Sequence, residues 1–331
     1  MHLPQELRDA IQEEVEKIDR RRLAKASAEL TQQYQAADFA SRPVRSEAHR
    51  AAYLLARLPA IHAANVRVFS EIQRLAPESN ITSFLDLGAG PGTALHAAAQ
   101  VFGSLINATM IEADASWLEQ GKRISTHSPF GAVRSARWIK HDLAANLPKE
   151  PMEPYDLVVI SYTLGELSQA DAEKVVKQAW ASTQKFLVIL EPGTRRGFRL
   201  VNAVRSWLIA SGAHLLAPCP HAAECPMAAA GDWCHFSQRV ERSSEHRHLK
   251  GGVLGYEDEK FSYIVAAREN FPQVKERIVR HPRKHGGHVQ LLLCTPQGLE
   301  DRTVTKSQKE SYRKARKAEW GDGWEKGLSS P

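Results

Sequence analysis

Between Phe84 and Leu95 the chain reads FLDLGAGPGTAL, which sets Gly88, Gly90 and Gly92 after a short apolar run and before a helix-forming stretch. Glycine adopts positive φ without steric cost and lets a ligand lie against the backbone, so three of them at a strand-to-helix reversal predict a binding turn. The spacing is G-x-G-x-G, with Thr93 standing where the nicotinamide and flavin pattern G-x-G-x-x-G has its third glycine. Three acids follow in order. Asp86, just before the turn, suits the methionine end of S-adenosylmethionine (SAM); Glu112, ending TMIEAD, suits both ribose hydroxyls; Asp142, in KHDL, suits the adenine amino group. SAM is the expected ligand. The plainer alternative, a tight turn with surface acids, leaves the order strand, turn, helix, strand, acid unexplained.

The acceptor side of such a site falls at the end of the fourth strand, here YDLVVISYTLGEL. It holds no Asn/Asp-Pro-Pro-aromatic segment to grip an amino group and no Pro-Cys to attack a pyrimidine. Tyr162 and Glu166 are the polar side chains nearby, and Glu166 serves equally as a base or as the start of a helix. Pro218-Cys219-Pro220 comes after the fifth strand and its helix, so it is not a nucleophile loop of the cytosine-methylating kind.

All four cysteines lie in the C-terminal half: Cys219, Cys225 and Cys234 in one irregular stretch, APCPHAAECPMAAAGDWCHF, and Cys294 at the end of VQLLLC. Four thiolates suit Zn²⁺ or an iron–sulfur cluster, and the absence of short C-x2-C knuckles leans toward the cluster. Simple burial of unligated thiols is the competing reading. His221, His235, His246 and His248 lie close in sequence but are more often ordinary histidines.

Two basic runs complete the chemistry. Arg277, Arg280, Arg283 and Lys284 crowd one stretch with three histidines; Lys306, Lys309, Arg313, Lys314, Arg316 and Lys317 crowd another with Tyr312 and Trp320. Such density suits phosphate contact with aromatics stacking on unpaired bases, against the alternative of a solvated helix face. RNA is the better-supported partner.

These groups need a scaffold. From Ile81 short apolar runs alternate with amphipathic stretches, the pattern of a parallel sheet covered by helices. SFLDLG, NATMIEA, ARWIKHD, YDLVVIS and KFLVILE are the expected strands, with helices near 93–102, 114–124, 168–182 and 197–211. The fold class is therefore α/β, a doubly wound methyltransferase-type sheet with an N-terminal helical region and a C-terminal cysteine-bearing, basic extension. Residues 1 to about 38 read as a helical arm on Leu7, Ile11, Val15 and Ile18, and two further helices are separated at Pro59. Further strands are expected at FSYIVAAR and HVQLLLCT, followed by a lysine-rich helix and WGDGW. The expected domains are 1–78 helical, 79–216 SAM-binding, 217–301 cysteine insertion with continuing strands, and 302–331 basic tail.

The 331 residues hold 43% hydrophobic and 25% charged side chains, far from the composition of disorder. No apolar run could span a bilayer, and the acid-rich start resembles neither a transit nor a secretory peptide, which gives a cytoplasmic expectation. A net charge of +6 favours a polyanionic partner only modestly, so the local runs carry that argument.

Taken together, YLLARLPA at 53–60, LDLGAGPGTAL, SYTLGEL, LEPGTRRGF at 190–198, PCPHAAECP, DWCHFSQRVER and KSQKESYRKARKAEWGD resemble a known family. It is the family of mitochondrial small-ribosomal-subunit assembly methyltransferase-like proteins of the Rsm type, with their bacterial relatives. The resemblance covers the chain from about residue 50 to its end. It implies a SAM-binding fold that engages small-subunit ribosomal RNA and the assembling small subunit. It also implies a [4Fe–4S] cluster on Cys219, Cys225, Cys234 and Cys294, and a mitochondrial matrix location for the organellar relatives. Three functions follow: an rRNA-directed methyltransferase, a non-catalytic rRNA-binding assembly factor that keeps SAM for structure or regulation, and a small-molecule methyltransferase. The third leaves the basic runs and the cysteines without a role.

Overall fold

The computed structural model describes residues 2–35, 46–145, 154–242 and 254–325. Four helices come first: α1 (Gln5–Glu16), α2 (Arg20–Gln35), α3 (Glu47–Ala56) and α4 (Leu58–Leu75). The expected single arm is two helices, because the Asp19 carboxylate accepts from the amides of Arg21 and Arg22 and starts a new one. Pro59 sits in the first turn of α4, where its missing N–H is harmless, so the break falls at Arg57, two residues before it. Leu7, Ile11, Val15 and Ile18 are all buried against α3 and its neighbours.

The alternating part follows as β1 (Ser83–Leu87), α5 (Thr93–Val101), β2 (Asn107–Glu112), α6 (Ala115–Thr126), α7 (Gly131–Arg134), β3 (Arg137–Lys140) and β4 (Tyr155–Ser161). After β4 a single 3₁₀ turn, Leu164–Glu166, leads to α8 (Gln169–Ala181), β5 (Thr183–Pro192), α9 (Arg195–Ala210) and β6 (His214–Ala217). Along β4 and β5 the side chains divide strictly. Leu157, Val159, Phe186, Val188 and Leu190 join one core with α4 and α5; Val158, Ile160, Leu187 and Ile189 join another with α8 and α9. A sheet buried on both faces must be apolar at every position, which is why these strands read as unbroken hydrophobic runs. Each such fully buried side chain contributes roughly 1.5–3 kcal/mol.

Beyond β6 come α10 (Pro226–Ala229), β7 (Phe236–Glu241), β8 (Tyr256–Ala267), β9 (Glu276–Ile278), β10 (Arg283–Lys284), β11 (His288–Thr295), β12 (Gly298–Thr305), a C-terminal helix (Lys309–Lys317) and β13 (Gly323–Trp324). The main sheet runs β3-β2-β1-β4-β5-β8-β6, with β7 on β8. Strands β1 to β5 are parallel, while β8 is antiparallel to β5, β6 and β7. A division at residue 217 therefore does not separate structural units, because FSYIVAAR returns to the main sheet between β5 and β6. The second sheet runs β10-β11-β9-β13, with β12 on β11. Its strand β12 reaches Thr305, so the expected boundary at 302 cuts a strand.

Candidate cofactor site, cysteine cavity and basic face

The turn after β1 is built on positive φ: Gly88 at 82°, Gly90 at 53° and Gly92 at 85°. A Cβ on Gly88 would stand 2.4 Å from the side chain of Thr163, at the end of β4. Gly88 and Ala89 donate to the Ile111 carbonyl at 2.9 and 3.0 Å, closing the turn onto β2. The Glu112 carboxylate finishes it, one oxygen accepting from the Gly90 amide at 2.7 Å and the other from the Asp114 amide at 2.8 Å. This holds the carboxylate beside the turn with lone pairs to spare for a ligand.

A cavity of about 310 Å³ opens there, lined by Asp86, Gly88, Gly90, Glu112, Asp142, Tyr162 and Glu166 among others. Gly92 is not among the lining residues; it starts α5, with the ring of Trp138 3.1 Å from where its Cβ would be. Asp86 is buried, and its Oδ1 has no hydrogen-bond partner among the described residues. Burial, with Glu112 nearby, pushes its carboxyl up to about 8. A buried acid with an orphaned oxygen is poised for a cationic or donor group. Sequence reasoning missed Tyr53 and Trp117, which also line the cavity and meet edge to face at 5.1 Å. Tyr53 on α3 and Trp117 on α6 carry no local signature that sets them apart from core aromatics.

At the end of β4, Tyr162 takes a φ of 59° and donates through its hydroxyl to Glu259 at 2.8 Å. Arg57 grips the same carboxylate with both terminal nitrogens at 3.2 Å. Burial, and then the Glu259 charge, hold the phenol well above its ordinary value, which favours the neutral form that donates to Glu259. Glu191, from LEPGTRRGF, accepts from the Leu164 amide at 2.9 Å and so holds the 3₁₀ turn of SYTLGEL. Its own carboxyl is pushed up to about 8 by burial. Glu166 begins no long helix; it closes this turn and is exposed at the cavity edge.

The four cysteines come together without disulfides. Cys219 follows β6, Cys225 and Cys234 flank α10, and Cys294 is on β11, yet all line one cavity. Burial raises the thiols of Cys219, Cys234 and Cys294, that of Cys294 to about 12, and their mutual proximity adds to it. Arg205, buried, donates to the Cys219 sulfur at 3.3 Å, while His221 Nε2 lies 3.6 Å from the Cys294 sulfur. Among the described residues, no group of three or more His, Cys, Asp or Glu closes to the geometry of a single metal ion. His235 stacks on Trp233 at 5.1 Å, away from metal-ligand duty; His246 and His248 lie outside the described residues.

The basic runs divide. Arg277 is 1% exposed and donates to Glu71 at 2.5 Å and to the Pro218 and Gly321 carbonyls at 2.8 Å. Arg280 is half-buried on Asp232 at 2.5 Å. Arg277 is thereby withdrawn from any nucleic-acid surface by its ion pair with Glu71, and Arg280, just past β9, is engaged by Asp232. Arg283, Lys284, Lys306, Lys309, Arg313, Arg316 and Lys317 are exposed, and Arg316 donates to the His285 carbonyl at 3.3 Å, joining the two runs in one face. Lys314 is half-buried over the Trp324 ring at 5.4 Å. Trp320 is buried and does not offer a stacking face; Tyr312, on the C-terminal helix, is half-buried against the core beneath it. No helix among the described residues is long and apolar enough to cross a membrane.

A family profile described as mitochondrial small ribosomal subunit Rsm22 matches residues 47–325. Among curated relatives, the human ribosome assembly protein METTL17, mitochondrial, is 29% identical over 292 residues, 82% of this chain and 61% of that one. The Rsm22-cox11 tandem protein 2, mitochondrial, of Schizosaccharomyces pombe is 27% identical over 320 residues, 82% of this chain and 42% of that one. The chain thus spans about half the length of these relatives. Among solved structures, the magnesium protoporphyrin IX methyltransferase of Synechocystis with bound SAM aligns over 63% of this chain and 80% of its own at 10% identity, with a TM-score of 0.40. The precorrin-6y C5,15-methyltransferase of Geobacter metallireducens aligns over 62% and 87% at 14% identity, with a TM-score of 0.39.

Proposed function

Because the chain belongs to the mitochondrial small ribosomal subunit Rsm22 family, we propose that it is a SAM-binding, methyltransferase-like ribosome assembly protein acting on small-subunit rRNA. The observation that carries this is the cavity at the Gly88–Gly92 turn, where Asp86, Glu112 and Asp142 converge as a SAM site requires. SAM would supply an electrophilic methyl group there; the chain's own residues hold it by backbone approach at Gly88 and Gly90 and by the orphaned Asp86 oxygen. The joined basic face offers its cations to RNA phosphates. Calorimetric titration with SAM tests the first part: micromolar binding that falls in Glu112→Ala supports it, and no heat with either protein sinks it.

The cysteine cavity is read as the seat of a [4Fe–4S] cluster on Cys219, Cys225, Cys234 and Cys294. Four thiols share it with the buried guanidiniums of Arg205 and Arg277, and Arg277 Nη2 is a buried donor without a partner among the described residues. The Arg205 guanidinium against the Cys219 sulfur and the unpartnered Arg277 Nη2 donor suit an anionic thiolate-ligated group. A cluster would supply four iron–thiolate cross-links between the loop and β11. Anaerobic purification with iron and sulfide analysis decides: a colourless zinc protein overturns the assignment.

A second reading, an assembly factor that binds rRNA and keeps SAM without transferring methyl, is favoured by Tyr162. Its phenol is neutral and committed to Glu259, leaving Glu166 as the carboxylate at the end of β4. Labelled SAM with immature small subunits separates the two. Incorporation that is lost in Asp86→Ala favours transfer; a wild-type rRNA methylation map unchanged by deleting the gene favours binding alone. The relatives' names give the mitochondrion for those proteins, and this chain is read as residing where the small subunit it serves is assembled.

A further inference from the structure

A second cavity, of about 440 Å³, lies beside the cofactor cavity. Tyr53, Ile61, Tyr162 and Glu166 line both, so the two spaces meet at the end of β4. Its volume is that of a small-ligand pocket, enough for one heteroaromatic ring system with its sugar. We propose that this second cavity receives a single unpaired RNA base, flipped out of its strand and laid against Tyr162 and Glu166 beside the cofactor. This rests on the reading of the chain as an rRNA-directed SAM binder and adds to it the place and state of the nucleotide.

The walls decide the chemistry. The inner wall is made of buried groups whose charges are already matched: Glu259 is held by Arg57 and by the Tyr162 hydroxyl, and Glu191 by the Leu164 amide. Leu30, Ala52 and Ile61 add apolar surface. Such a wall has no buried cation left for a bare phosphate and suits a neutral flat ring with donors and acceptors at its edge. Burial pushes Glu191 up to about 8, which keeps that wall from carrying a further full negative charge at neutral pH. The rim differs. Arg196 and Lys260 are exposed there beside Asp258, whose carboxylate is engaged by Arg239, and the phosphodiester on either side of an inserted base would pass these two cations. A floor of partnered polar groups under a rim that presents two cations is the arrangement for a base within and its backbone without. A base inside a duplex could not enter, so the nucleotide must be single-stranded or extruded. Glu166 is the carboxylate common to both cavities and therefore faces the junction where a group would pass between them.

The test is ultraviolet cross-linking of the full chain, saturated with S-adenosylhomocysteine, to a short mixed-sequence single-stranded RNA, with adducts located by mass spectrometry. The expected result is a nucleotide adduct on a cavity peptide, at Tyr53, Tyr162 or the Pro192–Leu200 stretch. Leu200→Trp, which fills the cavity from α9, should reduce that adduct by about tenfold or more, leaving adducts on the Arg283–Lys317 face and cofactor affinity within about twofold. Thr31→Trp, exposed on α2 at the opposite wall, should do the same and stands in if Leu200→Trp melts early. Wild-type adducts confined to the basic face overturn the proposal, as does a cavity adduct indifferent to both substitutions. A cavity that yields no RNA adduct but binds a lysine-bearing peptide assigns the site to a protein side chain instead and also overturns it. Loss of cofactor binding, or of every RNA adduct, counts against the broader function; loss of the cavity adduct alone counts against this inference.

Discussion

Asp86 concentrates the electrostatics of the cofactor cavity in one side chain. Its carboxyl, at 3.8 in an ordinary setting, is pushed up to about 8 by burial and by Glu112. Between about pH 4 and pH 8 the folded chain therefore binds more protons at this residue than the unfolded chain does, so stability falls as pH rises through that window. Replacing Asp86 with Asn should flatten this part of the stability profile, as read from urea melts of both proteins at several pH values; parallel profiles would refute it. The same residue predicts a proton released on ligand binding. SAM carries an ammonium and a sulfonium, and a cation beside Asp86 favours its ionised form. Calorimetric heats of SAM binding at pH 7 should then differ between buffers of unequal ionisation enthalpy, and identical heats would deny that a SAM cation sits beside Asp86. The glycines give a sharper steric contrast. A Cβ at Gly90 meets nothing within 4 Å, so Gly90→Ala should cost only about 1–2 kcal/mol for its left-handed backbone. Gly88→Ala adds a collision with Thr163 and should lower the melting temperature further.

At the scale of elements, the parallel strands were legible because a sheet covered on both faces forces every residue to be apolar. Thus YDLVVIS and KFLVILE fall on β4 and β5. The order β5-β8-β6 was not legible. It depends on pairs such as Phe186 with Ala267, far apart in the chain and carrying no local signature. Charge runs failed for a related reason. RIVRHPRKHGGH looks uniformly basic, but Arg277 turns inward to Glu71, 206 residues away, while Arg283 and Lys284 stay exposed. The four cysteines converged as their residue type suggested, yet nothing in their spacing pointed to Arg205 beneath them. The C-terminal helix and the β10–β11 hairpin should therefore act together on RNA. Replacing Arg313 and Lys317 with Ala should weaken binding and lower the salt slope by about 0.7 for each single-strand phosphate that is no longer neutralised. Fluorescence anisotropy across a salt series reads this directly; an unchanged slope would remove those two residues from the interface. Arg277→Met is the contrasting case. Glu71 keeps Arg74, so removing the buried guanidinium, with its bonds to Glu71 and to the Pro218 and Gly321 carbonyls, should destabilise the fold by about 1.5–3 kcal/mol, an effect that belongs to folding and not to RNA binding.

Across the whole molecule, one segment links the two sites that sequence kept apart. Pro192, Gly193, Thr194 and Arg196 line the cavity beside the cofactor. The Gly193 carbonyl accepts from the indole of Trp233 at 3.0 Å, and Arg195 lies over that ring at 4.4 Å while donating to the Gly231 carbonyl at 3.0 Å. Trp233 is the neighbour of Cys234, so the loop that presents this thiol is clamped to the segment that walls the second cavity. Gly193 has no room to retreat, since a Cβ there would already stand 2.7 Å from the backbone of Lys260 and Phe261. Ordering of the cysteine loop by a bound group must therefore be felt at Pro192–Arg196, and much less at the Gly88–Gly92 turn, which is stitched to β2. Hydrogen exchange should show it. If the proposed cluster is bound, removing it with a chelator, or substituting Cys225→Ser, should speed exchange of the Gly193–Arg196 amides along with the 219–234 loop, while the Gly88, Ala89 and Gly90 amides keep their protection. Equal protection at Gly193–Arg196 in loaded and stripped protein would mean that the clamp transmits nothing, and that the cysteine cavity stabilises only its own loop.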